Sequence, residues 1–313
     1  MNEKTNKKGF GAWFRDNWKN NALFSTGIAL IVMVILQTLA LGMPFVIISG
    51  GIDLAVGSTL VAVGAITMTL IDAANGGWLG AIGLTGAPAY IVAILISVAA
   101  GIVFGGLNGL MVTAGKIPPF IATLGAMKIL RSVTQQFMQS SSPKVPTGFQ
   151  QIARVKVGGQ MFMPILYWLL IALVLYIVSK KTVFGRHVFA VGSNEKTSRL
   201  SGINVNRVKL GVYALMGAVV AIAAVLQVSR IGAMDPANAG SGYELDSIAA
   251  VIVGGTSMSG GKGSVVGTVF GMLIIAVMNN LLNLLGVPPF LREAFKGAII
   301  IAAVLLQRKS SDN

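Results

Sequence analysis

The glycine-rich run Gly254-Gly-Thr-Ser-Met-Ser-Gly-Gly-Lys262-Gly-Ser264 comes nearest to a chemical signature in this sequence. A phosphate-binding loop needs Gly, four residues, then Gly-Lys-Ser/Thr, so that backbone amides and a lysine close on the phosphates. Counted from Gly255, the second glycine falls at Gly260, but Gly261 stands where the lysine should be and Lys262 precedes another glycine. The register fails, and the run reads as a close-packed turn between two helices. With no cysteine and His187 as the single histidine, thiolate nucleophiles and Cys- or His-based metal sites are excluded. No catalytic residue and no metal site is expected.

Three carboxylates interrupt apolar surroundings. Asp53 lies in Ser49-Gly-Gly-Ile-Asp-Leu-Ala-Val-Gly-Ser58. It reads first as a cap for the helix that follows and second as a pathway or gating residue. A proton relay would need a second carboxylate beside it. Glu244 and Asp246 follow a polar, glycine-rich loop at 234–242, expected on the outer side; Asp246 reads as a helix cap, and Glu244 is open. The densest chemistry is electrostatic. Between Ser179 and Lys209 stand Lys180, Lys181, Arg186, Lys196, Arg199, Arg207 and Lys209, opposed by Glu195 alone. Within that loop, Ser193-Asn194 opens a short helical stretch that Gly202 should stop.

The elements that carry these residues are membrane spans. The chain of 313 residues is 54% hydrophobic and only 11% charged, well under the roughly 25% of a soluble domain. Apolar runs at 23–48, 54–73, 88–113, 119–139, 161–179, 209–229, 245–258, 264–285 and 290–307 each approach the length needed to cross a bilayer. The expectation is an all-α polytopic transmembrane bundle of about nine to ten membrane segments, with 245–258 broken or re-entrant. Residues 1–22 form a basic, aromatic lead, read as an interfacial helix or an aromatic belt. Residues 23–307 form the membrane domain, and 308–313 a cytoplasmic tail. The net charge of +14 is concentrated in the lead, the 180–209 loop and the tail, which suits cytoplasmic topology and anionic lipid and not nucleic acid. Parity conflicts with this: five spans before the loop put the N-terminus outside, while Lys4, Lys7, Lys8, Arg15 and Lys19 argue for inside.

The chain also echoes itself. Gly101-Ile-Val-Phe-Gly105 followed by Pro118-Pro-Phe120 returns as Gly267-Thr-Val-Phe-Gly271 followed by Pro288-Pro-Phe290, and Gly51-Ile-Asp-Leu54 as Gly242-Tyr-Glu-Leu245. The matching spans are five apart and would cross in opposite directions, the mark of an inverted repeat with a transport path between its halves.

The ordered series Ser49–Ser58, Pro119–Leu124, Gly185–Asn206, Gly242–Asp246, Gly254–Ser257, Gly260–Gly263 and Asn279–Gly286 resembles the membrane-spanning permease subunit of ribose-type ABC sugar importers over nearly the whole chain. The resemblance implies a cell-membrane (inner or plasma membrane) permease that forms a homodimer or heterodimer and carries a simple sugar. A cytoplasmic ABC ATPase subunit would supply the ATP chemistry, so the chain itself needs no cofactor. An extracytoplasmic sugar-binding protein would deliver the sugar. It further implies that Gly192, Asn194, Arg199 and Gly202 belong to an ATPase-coupling helix. Arg186, Asn194 and Arg199 would supply hydrogen bonds to the ATPase, and Gly192 and Gly202 would bound the helix. Thr197 and Ser198 stand where that family usually has small alanines, and a further span usually precedes the one ending at Ser49. The alternative reading is an ion-coupled secondary transporter of a small polar solute, for which the spans offer almost no paired carboxylates.

Overall fold

The computed structural model describes residues 35–138, 143–157, 160–161 and 163–288, and beyond these 291–292, 294–295, 297–299, 301 and 305. The basic lead 1–22, the tail 308–313 and most of the expected span 290–307 lie outside the described residues. The elements run in order from a 3-10 helix at Ile35–Leu41 through α1 (Met43–Ile48), α2 (Val56–Leu70), α3 (Gly77–Ala81), α4 (Gly86–Thr113), α5 (Pro119–Met138) and α6 (Thr147–Arg154). A two-residue antiparallel ladder follows, β1 (Lys156–Val157) with β2 (Gln160–Met161). Then come α7 (Met163–Lys181), α8 (Val183–Ser193), α9 (Glu195–Leu200), α10 (Val205–Ile231), α11 (Tyr243–Val253) and α12 (Val265–Leu284).

Hydropathy located these helices well, because a run of apolar side chains both favours the bilayer and forces its backbone to bond internally. Among the described residues, α4, α7, α10 and α12 are long and apolar enough to cross a membrane by themselves. The remaining expected spans are shorter or more polar. The end of the first is a 3-10 helix joined to six-residue α1, with Pro44 at the start of α1, where its missing N–H costs nothing. α5 is a full helix but carries Lys128 and Arg131. α11 has 11 residues and is about 16 Å long, half of a hydrocarbon core about 30 Å thick. It is the broken segment expected at 245–258, and the loop before it must therefore fold back to mid-depth.

Two layers of loops mark the faces. On one, the Ala73 N–H donates to the Lys144 carbonyl at 2.7 Å and the Val145 N–H to the Gly232 carbonyl at 2.9 Å. On the other, the Gly261 N–H donates to the Ile48 carbonyl at 2.9 Å, beside Gly192. This second face carries the basic loop and is the inner one by the positive-inside rule. Ile48 therefore already stands at the inner face, and the parity conflict moves to residues ahead of 35, outside the described part.

From Ile48 the chain turns back: α2 rises outward, α4 descends, α10 rises from the basic loop to Gly232, α11 descends and α12 rises. The echoed helices, α2 with α11 and α4 with α12, thus run in opposite directions. Their glycine pairs serve the same physical purpose on different neighbours. A Cβ on Gly101 or Gly105 would strike the carbonyls of Gly217 or Tyr213 in α10, and one on Gly267 or Gly271 those of Gly254 or Ala250 in α11. With lipid as apolar as the side chains, close backbone approach of this kind is what holds membrane helices together.

Candidate coupling face and the broken segment above it

The basic loop folds into two helices, of which only the second was expected. Thr182 starts α8, its hydroxyl accepting from the Gly185 N–H at 3.1 Å. Asn194 ends α8 and starts α9, its side-chain oxygen accepting from the Thr197 N–H at 3.0 Å. Gly202 closes α9 with φ +81, the Gly202 and Ile203 amides returning to the Arg199 and Ser198 carbonyls at 3.0 Å each. That is a Schellman stop, and glycine suits it because it tolerates left-handed backbone. Asn204 then caps α10 by accepting from the Arg207 N–H at 3.1 Å.

Glu195 is the electrostatic centre of the face. Lys209 Nζ donates to one carboxylate oxygen at 2.7 Å and Arg199 Nη2 to the other at 2.9 Å, binding α9 to the first turns of α10. The Lys209 hydrogen bond, then that of Arg199, holds the Glu195 carboxyl below the ordinary carboxylate range. Arg186 and Arg199 are exposed, and Leu200 at the end of α9 is 89% exposed.

Of the five expected coupling residues, the structure gathers Asn194, Arg199 and Gly202 on α9 and its caps. Gly192 differs. It lies in the last turn of α8, where a Cβ would overlap the Ile48 carbonyl oxygen and come within 2.7 Å of the Gly261 nitrogen. It is a packing contact between three inner segments and not a boundary of α9. Asn194 has also committed its oxygen to the α9 backbone.

Asp53, Glu244 and Asp246 lie deeper. Asp53 is 3% exposed and accepts from the Ala55 N–H at 2.8 Å, so it orders the turn into α2; Ala55 occupies the cap position itself. Gly242 holds the cap position of α11, leaving Glu244 and Asp246 in its first turn, where their charge favours the positive helix end. The 234–242 loop, expected to face outside, instead dips inward. Gly240 and Glu244 meet Gly57, where a Cβ would collide with the Gly240 carbonyl and stand 2.8 Å from Glu244 Oε2. The glycine-rich starts of the two echoed helices are therefore in contact.

Two residues outside the expected set complete the arrangement. Arg131 of α5 donates to the Pro236 and Ala239 carbonyls, at 3.1 and 2.5 Å. Tyr213 of α10 donates its hydroxyl to the Ile52 carbonyl at 3.1 Å. Arg131 was findable, since a cation inside an expected span is a functional flag. Tyr213 was not, because an aromatic in an apolar helix carries no mark of its partner.

Residues 25–304 match the permease component family of the branched-chain amino acid transport system. The chain belongs to this permease family. Relatives include the ribose import permease of Bacillus subtilis (strain 168), 41% identical over 276 residues, covering 87% of this chain and 81% of that protein. The ribose import permease of Escherichia coli (strain K12) is 38% identical over 277 residues, again 87% and 81%. The galactose/methyl galactoside import permease of the same strain is 35% identical over 294 residues, 92% and 85%. No solved structure matches the chain. The permease is a transport component and not an enzyme, and the misregistered glycine run is accordingly a turn: Gly255, Gly260 and Gly261 all have positive φ, and the Ser257 N–H closes on the Lys262 carbonyl at 3.0 Å.

Proposed function

We propose that this permease is the membrane subunit of an ATP-driven ABC importer for a simple sugar of ribose type. The observation that carries the substrate class is the run of sugar import permeases among its relatives, with ribose permeases at 38–41% identity and the galactoside permease at 35%. On this reading the sugar crosses between the two oppositely directed halves, and a binding protein delivers it at the outer layer around Asp72, Lys144 and Gly232. A separate cytoplasmic ATPase docks on α8 and α9. The exposed Arg186, Arg199 and Leu200 offer it charge and an apolar tip, and two copies of the permease, or one with a homologue, complete the path.

Proteoliposomes test this directly. Permease with its ATPase and binding protein should take up labelled ribose on internal ATP, and permease alone should neither hydrolyse ATP nor transport. Arg199→Ala and Gly202→Pro should still insert in the membrane but hydrolyse ATP without matching uptake. ATP-independent uptake by the chain alone, driven by an ion gradient, would refute the reading.

A further inference from the structure

The chain between Ile48 and Ala55 hangs from two carbonyl oxygens four residues apart, each held by a different part of the molecule. The Ile48 oxygen accepts from the Gly261 N–H at 2.9 Å, and Gly192 of α8 is pressed against it. The Ile52 oxygen accepts from the Tyr213 hydroxyl at 3.1 Å. Between these anchors stand Ser49, Gly50 and Gly51. Gly50, with φ +79, closes α1: its N–H donates to the Ile47 carbonyl at 3.0 Å and the Gly51 N–H to the Val46 carbonyl at 2.9 Å, so the chain is tied to α1 as far as the Gly51 nitrogen. Gly51 lies directly under the tyrosine, with a Cβ placed 2.8 Å from the Tyr213 hydroxyl oxygen.

Tyr213 has little freedom to move. It is 1% exposed, its carbonyl backs onto Gly105, and its Cβ stands 3.2 Å from where one on Gly109 would be. The glycine ridge of α4 thus clamps α10 at the tyrosine. One turn nearer the inner face, about 6 Å along the helix, Lys209 shares the Tyr213 side of α10 and binds Glu195 of α9. Interiors packed this closely pass displacement on and do not absorb it.

We propose that Tyr213 is the positioning residue through which α10 holds the Asp53 segment, and that Gly51, beyond whose amide the bonds to α1 end, is the hinge that lets its two anchors separate. This rests on the reading of the chain as an ATP-driven permease. When a docked ATPase displaces α8, Gly192 carries the Ile48 carbonyl with it. α10, locked to α4, keeps hold of the Ile52 carbonyl. The difference falls on the joint between Gly51 and Ile52 and turns Asp53 and the start of α2. There Gly57 meets Gly240 and Glu244, so the movement arrives where the two halves touch.

The test is the number of ATP molecules hydrolysed per labelled ribose taken up by the reconstituted complex. Tyr213→Phe keeps the ring and deletes the bond to Ile52. Uptake should fall more than hydrolysis, raising the ratio about fivefold, the factor equivalent to about 1 kcal/mol of coupling. Gly51→Ala attacks the same contact from the other side by displacing the hydroxyl, and should raise the ratio likewise. Tyr176→Phe makes the same chemical change on α7, where Tyr176 is 38% exposed, and should leave the ratio alone. A wild-type ratio in Tyr213→Phe overturns the proposal. If that variant does not accumulate as folded protein, the ratio in Gly51→Ala decides in the same way. A wild-type complex that takes up neither ribose, galactose nor xylose on ATP refutes the permease reading itself, whereas a working complex with unaltered variants refutes only the anchor.

Discussion

Replacing Gly192 by alanine should reverse the usual sign of a glycine-to-alanine change in a helix. In an open helix interior that change gains about 0.5–1 kcal/mol, because alanine has less backbone freedom to lose on folding. At Gly192 the new methyl would overlap the Ile48 carbonyl oxygen and lie 2.7 Å from the Gly261 nitrogen. Both are backbone atoms, so neither can rotate away as a side-chain tip would. Overpacking of a tight interior costs about 1–3 kcal/mol, and parting the Gly261 N–H from the Ile48 carbonyl adds about 0.5–1.5. After the helix gain is subtracted, the net destabilisation is roughly 0.5–4 kcal/mol. Gly106→Ala provides the matched comparison, since Gly106 sits inside α4 with no atom within 4 Å of a Cβ. Thermal melting of the detergent-solubilised permease, followed by helical circular dichroism, should show Gly192→Ala below wild type and Gly106→Ala at or above it. A Gly192→Ala protein that melts with or above wild type would mean that α8 does not press on Ile48, and the inner face as described would be wrong.

Gly105→Ala, one residue from the benign position, should lower the melting temperature by the equivalent of about 1–3 kcal/mol, because its methyl would strike the Tyr213 carbonyl and stand 3.0 Å from Gly217. The ion pairs of Glu195 should make a small contribution that depends on pH. Since the folded carboxyl titrates below its unfolded value of 4.5, that contribution is complete above 4.5 and is lost as pH falls through the lower folded value. With the Glu195 side chain 42% exposed, solvent screening limits it to about 1 kcal/mol or less. The gap in melting temperature between wild type and Glu195→Gln should therefore be present at neutral pH, shrink with added salt, and close on acidification.

The helices were legible because each is written in its own residues. The apolar runs at 88–113, 161–179 and 264–285 became α4, α7 and α12 within a few residues, and the short stretch at 245–258 became the half-length α11. The capped helix of the basic loop was equally local: Asn194 at one end and Gly202 at the other act on amides and carbonyls within four residues of themselves. Helix α8 was hidden because its aromatic and basic residues show no apolar run, and because the resemblance makes Gly192 a boundary of the helix that follows.

What the sequence determined by itself was therefore membrane residence, the order of the spans, the face that carries the basic loop and, through the ordered motifs, the family. Those rest on hydropathy, charge and capping, which act over one helix length. Only the tertiary structure decided what the glycines and carboxylates do. Gly192, which the resemblance makes a boundary of the coupling helix, is the point where α8 meets Ile48 and Gly261. The 234–242 loop was read as external and dips to Gly57, because α11 is too short to cross. Tyr213 reaches Ile52, 161 residues earlier in the chain. A glycine records that something must come close without recording what comes close, and that identity exists only once the helices are packed.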